Sequence, residues 1–309
     1  MDSKDGYQKG GPLHRGRPHP ILVALATIGA LALIMAGLFF VLVMRLTSGG
    51  IEVSQDSSAP GIGIVEVAGV IADSEPILKV IREYKRRDYI KAVIVRINSP
   101  GGAVGASQEI FEALCELDKK KPVVASLETV AASGGYYVAI GARKIVANPG
   151  TITGSIGVIM KLPNIGPLLE RLGIKTQVLK SGVYKDMGSM TKEMTEEEKL
   201  LAESVLKDIH NQFMEDVGRR RSIPMEKMVD LAQGQIFSGK KAKALGLVDV
   251  LGNFDVAIRE AKGIAGLKGE PRLIYPEKGR LKVLKEILEE GATSSLRNIL
   301  ERVVFQYAS

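Results

Sequence analysis

Residues 91–102 read KAVIVRINSPGG, and between Ala92 and Ile97 only Arg96 interrupts an apolar, largely β-branched run. A strand with one wet face alternates apolar and polar residues, so a nearly continuous apolar run is the pattern of a strand covered on both faces. It ends in Asn-Ser-Pro-Gly-Gly, the composition of a tight turn. A second run of the same kind, PVVASL at 122–127, follows one helix length later. IGIVEVAGVI at 62–71 precedes them, and helical spacing fills the gaps near Glu75–Arg87 and Ser107–Lys119. Strands alternating with helices give βαβ units and a parallel sheet, so the fold class expected is α/β.

The chain has 309 residues, 45% apolar and 25% charged, a globular composition. From Ile21 to Met44 it carries no charge, and 24 residues at 1.5 Å rise span the roughly 30 Å of a bilayer interior. Arg45-Leu46-Thr47 offers no small-residue cleavage site, so the expectation is an uncleaved anchor. Lys4, Lys9, Arg15 and Arg17 precede the span and only Arg45 closely follows it, which puts the N-terminus in the cytoplasm and the rest outside a single-pass cell-membrane anchor. The organisation expected is a cytoplasmic segment 1–20, a transmembrane helix 21–44, a Gly/Ser/Pro-rich linker 45–61, a folded domain 62–270 and an amphipathic segment 271–309 that covers the core, a neighbouring subunit or the membrane.

The net charge of +7 is spread without a basic block, which argues against nucleic acid as a partner. Cys115 is the only cysteine, so an intramolecular disulfide and a cysteine-based metal cluster are excluded, and its apolar neighbours suit packing. Thr195 and Glu198 form a capping-box pattern ahead of a long helix with apolar residues at Leu200, Leu201, Val205, Ile209 and Phe213.

The chemistry is concentrated in ETVAASGGYYVAIGA, residues 128–142. Ser133 sits between alanines and a glycine pair, after a strand and before a helix, as a nucleophile on a sharp turn does. The Gly134 amide is a natural oxyanion donor there. A second donor can come from the Gly101-Gly102 pair, which is equally readable as turn punctuation. His14 and His19 lie before the membrane span, across it from Ser133, and His210 falls in the long helix, where a packed or solvated ring is the ordinary outcome. Lysine is left as the base, provided that burial favours its neutral form, and Lys185 in SGVYKDMGSM is one candidate.

INSPGG, ASGGYYVA, GSIGVI, SGVYKDMGS and GQIFSGKKAKALGLVD occur in that order across residues 62–255, behind the anchor. Together they resemble peptidase family S49, the signal peptide peptidase A group, in its short single-domain form. The resemblance implies a ClpP/crotonase-like fold of repeated ββα units, Ser133 as nucleophile and Lys185 as general base. It also implies Ser155 as a hydroxyl orienting that lysine, and Gly134 with Gly102 as the oxyanion hole. No cofactor or metal is implied. The implied substrates are remnant signal peptides and other hydrophobic peptides, and the implied assembly is a homo-oligomeric ring whose Ser and Lys come from neighbouring protomers. The alternatives are a ClpP-like Ser-His protease using His210, an acyl-CoA-processing crotonase, and a non-catalytic membrane scaffold.

Overall fold

The computed structural model describes residues 20–48 and 59–276. The chain divides into two units, Met1–Ser57 and Ser58–Ser309. In the first, α1 (Pro20–Ser48) contains the whole apolar run expected to cross a membrane. Several of its side chains lie outside the described set, and the described residues alone make no helix long and apolar enough to cross a membrane. The span at 21–44 therefore rests on the sequence. Residues 1–19, 49–58 and 277–309 lie outside the described residues, and with them most of the cytoplasmic, linker and C-terminal segments expected above.

The second unit is built on β1 (Gly61–Ala68), β2 (Ile90–Ser99) and β3 (Val123–Ala132), three adjacent parallel strands. The helices α2 (Glu75–Arg86), α3 (Val104–Asp118) and α4 (Gly134–Ala139) follow them in turn. The α/β class and parallel sheet expected from residues 91–102 are thus present. Val93, Val95 and Ile97 enter one core with α2, α3 and α4, while Ala92 and Ile94 enter a second beneath α9 (Phe254–Ile264). Both faces of β2 are buried, which is why its apolar run does not alternate. Each first unit has one strand where the resemblance suggested two. β3 changes partner midway, from β4 (Lys144–Ala147) at Val124–Leu127 to β5 (Ile152–Gly154) at Val130–Ala132.

β5 pairs antiparallel with β6 (Ile236–Ser238), and the other edge is closed by β8 (Arg272–Ile274) on β1. The sheet thus continues past residue 270, with the Tyr84 hydroxyl bonded to Ile274 O at 2.9 Å. Cys115 is half-buried against the core, and burial pushes its thiol up.

α6 (Glu196–Arg221) starts at the expected capping box: Glu198 N donates to Thr195 Oγ1 at 3.2 Å and Thr195 N to Glu198 Oε2 at 2.9 Å. Phe213 and Val217 anchor its second half in the core, whereas Leu200, Leu201 and Val205 of the first half are exposed.

The turns after β2 and β3 lie side by side, as neighbouring parallel strands require. A Cβ on Gly101 would fall 2.7 Å from Gly134 N and 2.9 Å from Ser133 Cβ. One on Gly102 would fall 2.1 Å from Ile71 O, and one on Gly135 2.7 Å from Ser99 O. Backbone meets backbone here, so the glycines of SPGG are required by close approach as well as by the turn.

Gly101→Ala places a side chain both at φ +103° and against main-chain atoms that cannot yield. It is expected to destabilise the domain by about 1–3 kcal/mol or more. Thermal unfolding checks this, and an unaltered midpoint would deny the close approach. Thr195→Ala is expected to cost about 1 kcal/mol by removing the cap, read by the same measurement.

Candidate active site

Ser133 is the residue between β3 and α4, and its backbone is unusual: φ is 54° and ψ is −123°. A non-glycine residue there stores strain of about 1–3 kcal/mol and persists only where its surroundings hold it. The holding contacts are specific. Ser133 N donates to Gly154 O at 2.9 Å, and Ser133 O accepts from Tyr137 N at 2.9 Å, closing the first turn of α4. Buried Ser99 accepts from Gly101 N at 3.1 Å, fixing the facing glycine turn.

Beneath the site, the Tyr137 hydroxyl donates to Asp216 of α6, and its ring meets Phe111 edge-to-face at 5.1 Å and a tilted Phe213 at 4.5 Å. Tyr136 donates to Leu247 O at 2.9 Å. Burial pushes both phenols up, so they remain neutral donors. α4 is therefore a rigid platform despite its six residues.

Gly154 links Ser133 to Ser155, the next residue, which is itself at φ 52° and whose N–H donates to Gln235 O at 2.8 Å. Ser133 and Ser155 line one cavity of about 460 Å³ together with Gly102, Gly157, His210 and Gln233. A second recess of about 30 Å³ lies beside Ser133 and Gly134, closed by Val104, Tyr137, Ile209 and Phe213. Gly134 is the first residue of α4, so its amide has no partner within the helix. A Cβ on Gly134 would lie 3.2 Å from Gly102 N, which places the two amides as neighbours. Neither amide makes a backbone hydrogen bond among the described residues outside its own helix.

Lys185 is elsewhere. It lies in an exposed turn at 181–188, with its N–H donating to Gly182 O at 3.2 Å, and lines neither cavity that contains Ser133. The turn belongs to an arm, residues 159–192, that includes the short helix α5 (Gly166–Arg171), none of whose residues is buried. Ile159 is 75% exposed, Val183 69% and Leu179 90%, an unusual display for apolar side chains. One ion pair ties the arm to α6, Lys192 meeting Glu198 at 2.6 Å, and within the arm Asp186 meets Lys180 at 2.7 Å and Lys192 at 3.3 Å. The Lys180 and Lys192 ammonium groups hold Asp186 and Glu198 below the usual carboxylate range. Carboxyls depressed in the folded state contribute above their ordinary pKa, so the tether is present at neutral pH and is lost on acidification through the lowered values.

The structure thus brings Ser133, Gly134, Gly102 and Ser155 together and leaves Lys185 apart from them in one chain. His210, the histidine that the alternative Ser-His reading requires, joins the cavity.

The chain is similar to several known proteins. The model of peptidase family S49 matches residues 115–268. A putative protease of Synechocystis sp. is 43% identical over 213 residues, 68% of this chain and 76% of that protein. The putative signal peptide peptidase SppA of Enterococcus faecium is 37% identical over 186 residues, 60% of this chain and 53% of that protein. The chloroplastic serine protease SPPA of Arabidopsis thaliana is 34% identical over 224 residues, 72% of this chain and 32% of that protein. With the strained serine turn and its facing glycines, these likenesses have one reading: the chain belongs to peptidase family S49.

Proposed function

We propose that the chain is a membrane-anchored serine endopeptidase in which Ser133 is the nucleophile and Lys185 of a neighbouring copy is the general base. The observation that carries this reading is the strained turn at Ser133, pressed against Gly101 and opening on a cavity shared with Ser155. Strain of this kind in a serine between a strand and a helix favours a hydroxyl held out toward substrate.

In the reaction, Ser133 Oγ attacks the scissile carbonyl carbon while the Lys185 amine takes the hydroxyl proton. The carbonyl oxygen becomes an oxyanion received by the N–H groups of Gly134 and Gly102. Collapse of the tetrahedral intermediate breaks the C–N bond, and the leaving amine takes the proton back from Lys185. Water then attacks the acyl-enzyme with the same amine as base, releasing the acid and restoring Ser133. An amine accepts a proton only when neutral, and removal from water favours that form. In a single chain Lys185 is exposed, so the cover has to come from elsewhere. The exposed apolar residues of the arm, and Leu200, Leu201 and Val205 of α6, are the surface that a second copy would bury. Ser155 would then meet the incoming amine.

The substrates proposed are remnant signal peptides and other hydrophobic peptides presented at the membrane. The apolar run at 21–44 supports anchoring beside such substrates, with the N-terminus cytoplasmic and the peptidase domain outside. The name of the Enterococcus relative points the same way.

A second reading has one observation in its favour: His210, not Lys185, shares the cavity with Ser133 in one chain. A fluorophosphonate probe separates the two. Ser133 is expected to be labelled in the full chain and in His210→Ala, and Lys185→Ala is expected to lose labelling and to slow peptide hydrolysis about a thousandfold. Labelling that survives Lys185→Ala and fails in His210→Ala would replace the lysine with the histidine.

A further inference from the structure

The glycine pair after β2 has more than one shape open to it. Glycine has no Cβ to restrict φ and ψ, so the peptide between Gly101 and Gly102 could turn over with little strain. That rotation would swing the Gly102 N–H to the other side of the chain, away from the Gly134 amide beside which it lies. An oxyanion gains most from donors that are already in place. Whatever fixes this one peptide therefore governs part of the rate.

Two hydrogen bonds fix it. Gly101 O accepts from Ile71 N at 3.0 Å, and Ile71 O accepts from Ala103 N at 2.7 Å, so the loop after β1 runs beside the pair as an isolated parallel bridge. No peptide bond among the described residues is cis, and in a trans peptide the N–H points opposite to the C=O. With its C=O on Ile71, the Gly101–Gly102 peptide has its N–H turned away from Ile71. The second bond precedes the hinge: Gly101 N donates to Ser99 Oγ at 3.1 Å. Gly101, at φ +103°, thus has a held peptide on each side. Ser99 and Gly101 are buried, whereas Gly102 is exposed. Of the three amides from Gly101 to Ala103, the one that makes no hydrogen bond among the described residues is that of Gly102, the donor the reaction needs. Ser99 Oγ is the one side-chain atom of this clamp, and so the one that a substitution can remove.

We propose that Ser99 is a positioning residue of the Ser133 site: its hydroxyl, together with Ile71 N, holds the Gly101–Gly102 peptide in the orientation that offers the Gly102 N–H to the oxyanion. This rests on the peptidase reading above and adds to it what aims the second donor. It is independent of which group serves as base. Ser99 acts through Gly101, and its effect belongs to the transition state rather than to the bound substrate.

The test uses the full-length chain in detergent micelles, a fluorogenic peptide of apolar residues, and the variants Ser99→Cys and Ser99→Thr. Cysteine keeps the shape of serine but is a weak acceptor, whereas threonine keeps the hydroxyl and adds a methyl group at a buried position. A residue that only packs tolerates cysteine better than threonine, and the proposal expects the opposite order in activity. Ser99→Cys is expected to lower kcat about tenfold with KM within about twofold, less than the roughly hundredfold that removing a donor outright costs. Ser99→Thr is expected to keep kcat within about threefold of wild type, even where its unfolding midpoint falls. A peptide aldehyde gives a second readout, because its hemiacetal with Ser133 puts an oxygen where the oxyanion forms, and its inhibition constant is expected to rise about tenfold in Ser99→Cys. Substrate Kd, read with a fluorescein-labelled peptide on the Ser133→Ala chain, is expected to stay within about twofold when Ser99→Cys is added. Ser99→Ala gives the same readings if the cysteine variant does not fold. Wild-type kcat and aldehyde inhibition in the variant without the hydroxyl would overturn the proposal. So would a loss of substrate affinity as large as the loss of aldehyde affinity, or a folded Ser99→Thr chain slower than Ser99→Cys. No hydrolysis and no aldehyde inhibition in the wild-type chain would remove the peptidase reading and this proposal with it, whereas hydrolysis and inhibition insensitive to Ser99 would remove this proposal alone.

Discussion

The turn of SPGG and the turn of ASGG meet backbone to backbone, and the arrangement of the site depends on that contact. Two adjacent parallel strands deliver both turns to the same edge of the sheet, and only glycine lets them close to the distance seen between Gly101 and Gly134. The contact holds Ser133 at φ 54°, sets the amides of Gly102 and Gly134 side by side, and leaves Ser133 in the lining of a cavity. A domain stable by about 5–15 kcal/mol tolerates strain of this size because the β2 and β3 cores beneath it are buried on both faces.

Much of this was legible from residue types. The uninterrupted apolar run of β2 reported burial on two faces, and the capping box reported the start of α6 to the residue. The small residues around Ser133 reported a tight turn. The choice between turn punctuation and close approach at Gly101-Gly102 needed coordinates, because both demand glycine and only the neighbouring chain distinguishes them. His210 was named only as the base of an alternative, and its place beside Ser133 could not be read for a related reason. Helical spacing locates an apolar stripe but says nothing about a ring at its border, and the cavity wall is assembled from segments scattered between Pro100 and Gly234.

The apolar stripe at Leu200, Leu201 and Val205 has the same ambiguity. A 3.6-residue period shows that a face is apolar, whereas what covers it is decided elsewhere. In the single chain that face is open, and so is the arm carrying Lys185, which is fastened to the start of α6 by the Asp186, Lys192 and Glu198 pairs. Under the proposed function, the two exposed apolar surfaces, joined by one tether, are the element on which a second copy docks. In the proposed assembly, a second copy laid on it buries the arm and brings the Lys185 amine to Ser133.

The most direct measurement of that account is activity in a mixture of two inactive chains, Ser133→Ala and Lys185→Ala, unfolded and assembled together. If serine and lysine meet across an interface, about a quarter of the sites in an equal mixture regain both groups and peptide hydrolysis returns in that proportion. A mixture as inactive as either component alone would contradict a site shared between two chains.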